Sequence, residues 1–326
     1  MDVRAGWLIF LFQRLAAALV TMAGAILMLF TLIQLVPGDL ITILLGPRAT
    51  PELRAAFVER MGLNLSIPER LWLFFSHAAR GDFGTDVISS RPIRDMILDV
   101  LPNTLQLAFS AMLVGGGLGL LLGCIAALRP GSKLDGFLGF ASVAFITTPS
   151  FVVSIFLLLS FSLGLHWLPV TGAGDSNHLG DRLAHLILPT SALAIGWVGY
   201  IARLVRASLL EVLSEQHIRM MRAYGVSEPR IIGRYALKLA FVPVVAVMGL
   251  GMGDLIGNAV FAEIIFARPG IGSLVYNSIM TRNYPVAQAG ILVLVLVYVL
   301  ANFTVDIINS LLDPRIARSL ALRGSP

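Results

Sequence analysis

Charged residues are missing from this chain over stretches long enough to cross a bilayer, and that spacing limits the fold more than any motif. Arg14 to Asp39 encloses 24 uncharged residues, Asp99 to Arg129 encloses 29, Asp135 to Asp175 encloses 39 and Arg182 to Arg203 encloses 20. Lys238 to Glu263 encloses 24 residues charged only at Asp254, and Arg282 to Asp306 encloses 23. A helix needs about 20 mostly apolar residues to span the hydrocarbon core. The runs therefore predict an all-α, polytopic integral membrane protein with six transmembrane helices. Composition agrees, since 13% of the residues are charged and 57% are hydrophobic. A soluble domain carries about 25% charge, so a soluble enzyme is excluded, and disorder needs the opposite balance. The lone Cys124 excludes a disulfide framework and a cysteine metal cage.

Two of the runs need further reading. The first is too long for a secretory leader and has no small-residue cleavage site after it, so it reads as a retained span ending at Val36-Pro37-Gly38-Asp39. The 39-residue run reads as one long span followed by an outer loop, because Pro149 and the turn residues between Gly164 and Pro169 interrupt it. Pro149 lacks a backbone donor and is expected to kink that span. This divides the chain into residues 1–36 (N-terminal segment and first span), 37–100 (outer loop) and 101–326 (a five-helix core with a cytoplasmic loop near 207–238).

Lys and Arg set the orientation. The side holding both termini carries 14 of the 24 basic residues, and the other side carries 10, seven of them in a first loop that also holds eight acidic residues. Both termini are therefore expected in the cytoplasm. The first outer loop has structure of its own. Thr50-Pro51 reads as a helix start with Gly62 as its stop, and Ser66-Ile67-Pro68-Glu69 as a capping box opening a second amphipathic helix that stops at Gly81. Such helices can cap the bundle, dock an external partner, or do both.

The cytoplasmic loop reads as a helix–glycine–helix hairpin. Helix formers run from Arg206 to Gly225, and Ser227 can cap the next helix, with Glu228 and Pro229 in its first turn. Arg219 and Arg222 share a helix face, and Met220 and Met221 offer soft apolar contacts. A basic helix lying on acidic lipid would account for the charge, but not for the abrupt turn at Gly225.

This hairpin resembles the coupling loop of ABC-importer permeases, whose pattern is Glu-Ala-Ala, three residues, Gly, and a hydrophobic tail. Arg219, Met220 and Met221 stand in the Glu-Ala-Ala places, and Gln216 where an acidic residue is usual. Other stretches are similar to the first permease of the dipeptide, oligopeptide and nickel importers. They include Pro37-Gly38-Asp39, Gly62-Leu63-Asn64, Gly81-Asp82-Phe83-Gly84, Leu101-Pro102-Asn103-Thr104-Leu105, Ala236-Leu237-Lys238, Arg268-Pro269-Gly270-Ile271-Gly272 after Glu263, and Leu312-Asp313-Pro314-Arg315. The resemblance covers nearly the whole chain. It implies a multi-pass subunit of the bacterial inner membrane within an ATP-driven, binding-protein-dependent importer. The expected partners are a second homologous permease, two ATPase subunits or domains, a periplasmic substrate-binding protein and the lipid bilayer, with no nucleic acid. Peptides are the first choice of substrate; nickel, glutathione and other small solutes are alternatives. Coupling to the ATPase falls on Gln216, His217, Arg219, Met220, Met221, Arg222, Ala223 and Gly225.

No phosphate-binding loop of the form Gly-x-x-x-x-Gly-Lys-Ser/Thr occurs. The chain is expected to be a translocation subunit without enzymatic activity or a cofactor of its own, and ATP and Mg belong on the partner subunits. Asp254 is the clearest pathway candidate, because a carboxylate at the centre of a span costs about 2.5–3.5 kcal/mol on insertion scales. It can serve as a structural contact to Asn258 or line a passage that favours a cationic group. Pro149 joins these two as a pathway candidate. Gly249, Gly251, Gly253 and Gly257 around Asp254 let backbones approach or the helix bend. The five histidines have no partner at metal-ligand spacing, so no metal site is expected. An intramembrane enzyme would need catalytic residues at matched depths, and a secondary transporter paired repeats. Neither pattern is evident.

Overall fold

The computed structural model describes residues 3–35, 50–51, 65–86, 88–175 and 177–312. Ten helices form the frame of the described residues: α1 (Val3–Leu35), α2 (Ile67–Ala78), α3 (Ile93–Leu128), α4 (Lys133–Thr147), α5 (Ser150–Leu157), α6 (Leu179–Ser214), α7 (Gln216–Ala223), α8 (Leu237–Ile265), α9 (Ile271–Met280) and α10 (Tyr284–Leu312). Among these residues the sole β pairing is an isolated bridge between Thr85 and Pro92. Helices α3, α6, α8 and α10 each contain a stretch long and apolar enough for a span, and α4 with the α5 segment makes a fifth candidate bent by 100°. The 33-residue α1 carries the apolar stretch Leu15–Met28. The predicted stop at Val36–Asp39, the helix expected from Thr50-Pro51 to Gly62, the segment from Asp313 onward and the side chain of Asp306 lie outside the described residues.

The third run departs from the single kinked span that its length suggests. α4 ends where the Thr148 N–H donates to the Ala144 carbonyl, and Thr148 then turns extended (φ −84°, ψ 118°) ahead of Pro149. The proline ring disfavours the α region for the residue before it, so Thr148 leaves the helix and α5 restarts at a new angle. The result is two helices. α5 widens into a π-helical stretch, Leu158–Gly164, before the outer loop.

The chain divides into two units. The first centres on Asn103–Pro269 and includes the chain from Val297 onward. Its hub is α6, against which α4, α5 and α8 pack. Close approach here comes from glycine. On α3, Gly115, Gly119 and Gly123 recur every fourth residue and face Trp197, Ile201 and Val205 of α6. A Cβ at Gly119 would lie 2.7 Å from Ile201 Cβ, and one at Gly123 would lie 2.6 Å from the Ala202 carbonyl oxygen. Without a hydrophobic driving force between helices in lipid, small residues gain stability by letting backbones touch. Gly199 does the same for α4, where a Cβ would sit 2.6 Å from the Ser142 carbonyl oxygen. On α8, Gly249 and Gly253 face Val305 and Tyr298 of α10, while Gly251 faces the Trp197 ring. Gly257 meets nothing within 4 Å, so three of the four glycines around Asp254 serve close packing.

An ion pair ties α4 to α6. Arg206 donates from Nε to Asp135 Oδ1 at 2.5 Å and from Nη2 to Asp135 Oδ2 at 2.7 Å. Gly131 N–H adds a third donor to Asp135, and Ser132 caps α4 by accepting from Asp135 N–H at 3.1 Å. Two parallel bonds to one carboxylate fix direction as well as distance.

The second unit comprises Gln13–Pro102 and Gly270–Leu296. α2 begins as expected: Ser66 N–H and hydroxyl both donate to Glu69 at 2.9 and 2.8 Å, the return half of a capping box. Leu71, Phe74, Phe75 and Ala78 pack with Met22, Ile26 and Leu292. Trp72, on the other face, stays 74% exposed. α2 is thus a packed cap with one exposed aromatic, and its turn closes at Gly81 (φ +74°). Beyond it, buried Asp86 accepts from Ser89 N–H at 2.8 Å, Ile88 N–H at 3.2 Å, the Ser89 hydroxyl and Asn283 Nδ2. Burial pushes the Asp86 carboxyl upward, but these donors outweigh it and hold it below the usual carboxylate range.

Candidate functional site

The cytoplasmic-loop hairpin expected from the sequence forms, with one break that its residues conceal. α6 stops at Ser214, Glu215 turns extended (ψ 154°), and α7 starts afresh at Gln216. Propensity favours one unbroken helix to Gly225, so the break is a tertiary decision. It lets Ile218 turn inward and become fully buried with Leu209 and Val212 of α6 and with Ile231, Ala236 and Ala240. α7 ends in a Schellman motif: Val226 N–H reaches the Met221 carbonyl and Gly225 N–H the Arg222 carbonyl, both at 3.0 Å. Gly225 adopts φ +78°, a conformation that costs an L residue with a side chain about 1 kcal/mol or more. The chain then makes the turn Glu228–Arg230 and a wide π-helical turn, Ile231–Ala236, that runs directly into α8. Ser227 sits at the cap position, yet its hydroxyl makes no cap bond; its carbonyl accepts from Arg230 and Ile231 N–H instead.

The predicted hairpin residues divide by face. Gln216, Arg219, Met220 and Ala223 are exposed, and Tyr224 beside them is 81% exposed. These positions are spaced as one stripe along a helix. Met221 packs inward on the Ile218 cluster. Arg222 closes the turn, donating from Nε to Glu228 Oε1 at 2.6 Å and from Nη1 to the Leu213 carbonyl at 3.4 Å. Half-exposed His217 meets Glu215 at 2.9 Å. Arg219 and Arg222 are both exposed, and Arg222 is engaged within the hairpin.

The three pathway candidates meet in one place. A cavity of about 510 Å³ opens among α4, α5, α6 and α8, and Pro149, Asp254 and Asn258 all line it. That volume is in the range of small-molecule sites. On α8 the lining residues are Val247, Leu250, Gly251, Asp254, Leu255 and Asn258, at the i, i+3, i+4, i+7 spacing of a single helix face. The bend at Thr148-Pro149 forms one wall, and Trp197 and Tyr200 of α6 form another. Asn258 Nδ2 donates to both the Asp254 carbonyl and its Oδ1, each at 3.0 Å. The expected contact between Asp254 and Asn258 is present, and both residues also line the cavity.

Several structural features around the cavity and along the spans are not read from the residues above. The aromatic pair Trp197–Tyr200, with centroids 5.7 Å apart and rings near perpendicular, is three residues apart on α6 and resembles ordinary span filler. The glycine repeat of α3 was detectable as a small-x-x-x-small pattern. A buried polar cluster also joins α3 to the end of α8. Thr104 Oγ1 donates to Glu263 Oε1 at 2.6 Å, Arg268 Nη2 donates to Gln106 Oε1 at 3.1 Å, and Glu263 and Arg268 are at most 2% exposed. Burial lowers the Arg268 guanidinium from its ordinary value, Glu263 opposes that shift and Arg182 adds to it. Glu263 thus supplies the countercharge for an arginine that its place in a loop marks as exposed.

Comparison with known proteins agrees with this architecture. Residues 119–318 match the family described as binding-protein-dependent transport system inner membrane component. The chain is 36% identical to the di/tripeptide transport system permease protein DppB of Pseudomonas aeruginosa, covering 94% of this chain and 98% of that one. It is 35% identical to the probable peptide ABC transporter permease protein y4tP of Sinorhizobium fredii (94% and 99%) and 34% identical to the glutathione transport system permease protein GsiC of Shigella flexneri (94% and 98%). Among solved structures it is similar in fold to a chain of the inward-facing MetNI methionine ABC transporter, with a TM-score of 0.56 and 21% identity over 67% of this chain and 96% of that chain. An all-helical chain with bilayer-length apolar helices, an exposed helical hairpin continuous with two of them and this family match belongs to the inner-membrane permeases of binding-protein-dependent ABC importers.

Proposed function

We propose that this permease carries short peptides inward as one half of a heterodimeric translocation pathway. Its partners in this reading are a second, homologous permease, two ATPase subunits that bind ATP and Mg, and a periplasmic binding protein that delivers the solute. The observation that carries it is mechanical. The hairpin grows out of α6 and into α8, the same two helices that supply Trp197, Tyr200, Asp254 and Asn258 to the cavity. Ile218 is buried between them. A groove on the ATPase would take the exposed stripe Gln216, Arg219, Met220, Ala223 and Tyr224. Closing of the ATPases would then tilt α6 and α8 as a pair and reshape the cavity, a rigid-body transition of the usual repertoire.

The names of the relatives support peptides as substrate, and glutathione, itself a tripeptide, is the second choice. In this reading both termini and the hairpin face the cytoplasm, and α2 with its exposed Trp72 lies on the side of the binding protein. The test is the complete complex in proteoliposomes, loaded with ATP and supplied with its binding protein and labelled di- and tripeptides. ATP-dependent uptake is expected. Gly225→Val should abolish uptake while leaving ATP hydrolysis measurable, because valine resists the φ of this turn. Normal coupled uptake by that variant would refute the role given to the hairpin.

A further inference from the structure

The cavity is more than a gap between helices, and its chemistry is one-sided. It holds one carboxylate, Asp254, exposed into the space, and no basic side chain lines it. Among the described residues Asp254 forms no ion pair. Its Oδ1 accepts from Asn258, which leaves Oδ2 for another donor. The amide of Asn258 orients the carboxylate without neutralising it.

Two aromatic side chains of α6, Trp197 and Tyr200, also line the cavity. Trp197 is wedged against Gly251, one helical turn before Asp254, so its ring is held in place. Tyr200 stands edge to face against it and is 45% exposed. A carboxylate together with indole and phenol rings is the combination that binds alkylammonium and guanidinium groups, by ion pairing and by attraction to the ring faces. An intramembrane carboxylate with no countercharge among the described residues also points to a charge that arrives from outside.

We infer that this cavity is a cation station: Asp254, oriented by Asn258 and sharing the cavity with Tyr200 and Trp197, binds the ammonium group of a solute in transit. The inference rests on the transport reading above and deepens it. The solute class is a compound with a free amine, and peptides with blocked amines are passed over.

The experiment uses the whole complex in nanodiscs without its binding protein, so that selection by that protein cannot intervene. The probes are alanyl-alaninamide, which is cationic, and its N-acetyl form, which is neutral and larger by one acetyl group. Binding is followed by thermophoresis. Alanyl-alaninamide is expected to bind saturably and the acetylated form at least tenfold more weakly. Asp254→Asn, which preserves size, should weaken the cationic probe at least tenfold and leave the neutral one unchanged. Tyr200→Leu should cost about twofold to fivefold. Equal binding of the two probes, or undiminished binding by Asp254→Asn, would overturn the inference. So would binding of neither probe together with loss of the second permease from the Asp254→Asn complex, which would assign the cavity to a basic side chain of that subunit. Uptake by the wild-type complex separates the two levels: no ATP-dependent uptake refutes the transport reading, whereas normal uptake with an indifferent Asp254 refutes only the cation station.

Discussion

The glycine seam between α3 and α6 makes a prediction that can be worked from distances. A methyl group at position 119 or 123 would have its carbon 2.6–2.7 Å from Ile201 Cβ, the Ala202 carbonyl oxygen or Val205 Cβ. Carbon contacts are optimal at about 3.5–4.0 Å, so α3 must retreat by about 1 Å. At position 123 the obstacle includes backbone, which no rotamer change relieves. Overpacking of this kind costs about 1–3 kcal/mol, against a helix-propensity gain of about 1 kcal/mol for alanine over glycine. Gly117 lies on the same helix with nothing within 4 Å, so Gly117→Ala takes the gain without the clash. The gap between Gly123→Ala and Gly117→Ala therefore isolates the clash. At about 2–4 °C per kcal/mol for a 150–250-residue domain, that gap is about 2–12 °C. The assay is thermal challenge of the co-expressed complex in detergent at a fixed heating time, read by fluorescence size exclusion, since such unfolding is seldom reversible. The double variant Gly119→Ala/Gly123→Ala should lose less than the sum, because one displacement of α3 relieves both contacts. If Gly117→Ala is as damaging as Gly123→Ala, or if Gly119→Ala and Gly123→Ala both match the wild type, close backbone approach is not what holds α3 on α6.

Other consequences are more local. Ile218→Ala should remove the anchor of the hairpin at a cost of about 2–5 kcal/mol; trypsin should then cut at Arg219 and Arg222 faster, and an unchanged cutting rate would show that the anchor is not Ile218. Asp135→Asn and Arg206→Gln should each destabilise the junction of α4 and α6. Their double-mutant cycle should give a coupling of about 0.5–3 kcal/mol, with zero coupling refuting the pair. Asp86 supplies a pH dependence. Its folded-state pKa is depressed, so its stabilisation is present above the ordinary carboxylate value of about 3.9 and is lost as pH falls through the lower folded value. Amide exchange at Ile88 and Ser89 should rise in that acid window in the wild type, and Asp86→Asn should exchange fast at every pH; identical profiles for the two would contradict the assignment.

Helical class and the hairpin were legible because each depends on local chemistry. Uncharged runs of bilayer length leave no other solution for the backbone, and Gly225 followed by Ser227, Glu228 and Pro229 can only turn. Asp254 stood out because a charge within a span is costly wherever it points. The polar cluster of Thr104, Gln106, Glu263 and Arg268 was illegible, since its hydrogen bonds join residues 159 and 162 positions apart that only packing brings together. The interruption at Glu215 escaped for a related reason. Nothing in Leu213-Ser214-Glu215-Gln216 opposes a helix, and the chain breaks there because burying Ile218 outweighs the lost helical bonds.

From residue order alone came the class, four of the six spans that charge spacing marks out and the existence of a turn at Gly225, all governed by what a short segment needs from its solvent. Tertiary structure alone decided that the run through Pro149 becomes two helices bent by 100°. It also decided that three glycines of α3 face α6, and that Pro149, Asp254 and Asn258 share one cavity with Trp197 and Tyr200. The physical reason is range. Desolvation and backbone hydrogen bonding act within a segment, whereas a cavity exists only where several segments fail to fill the same space.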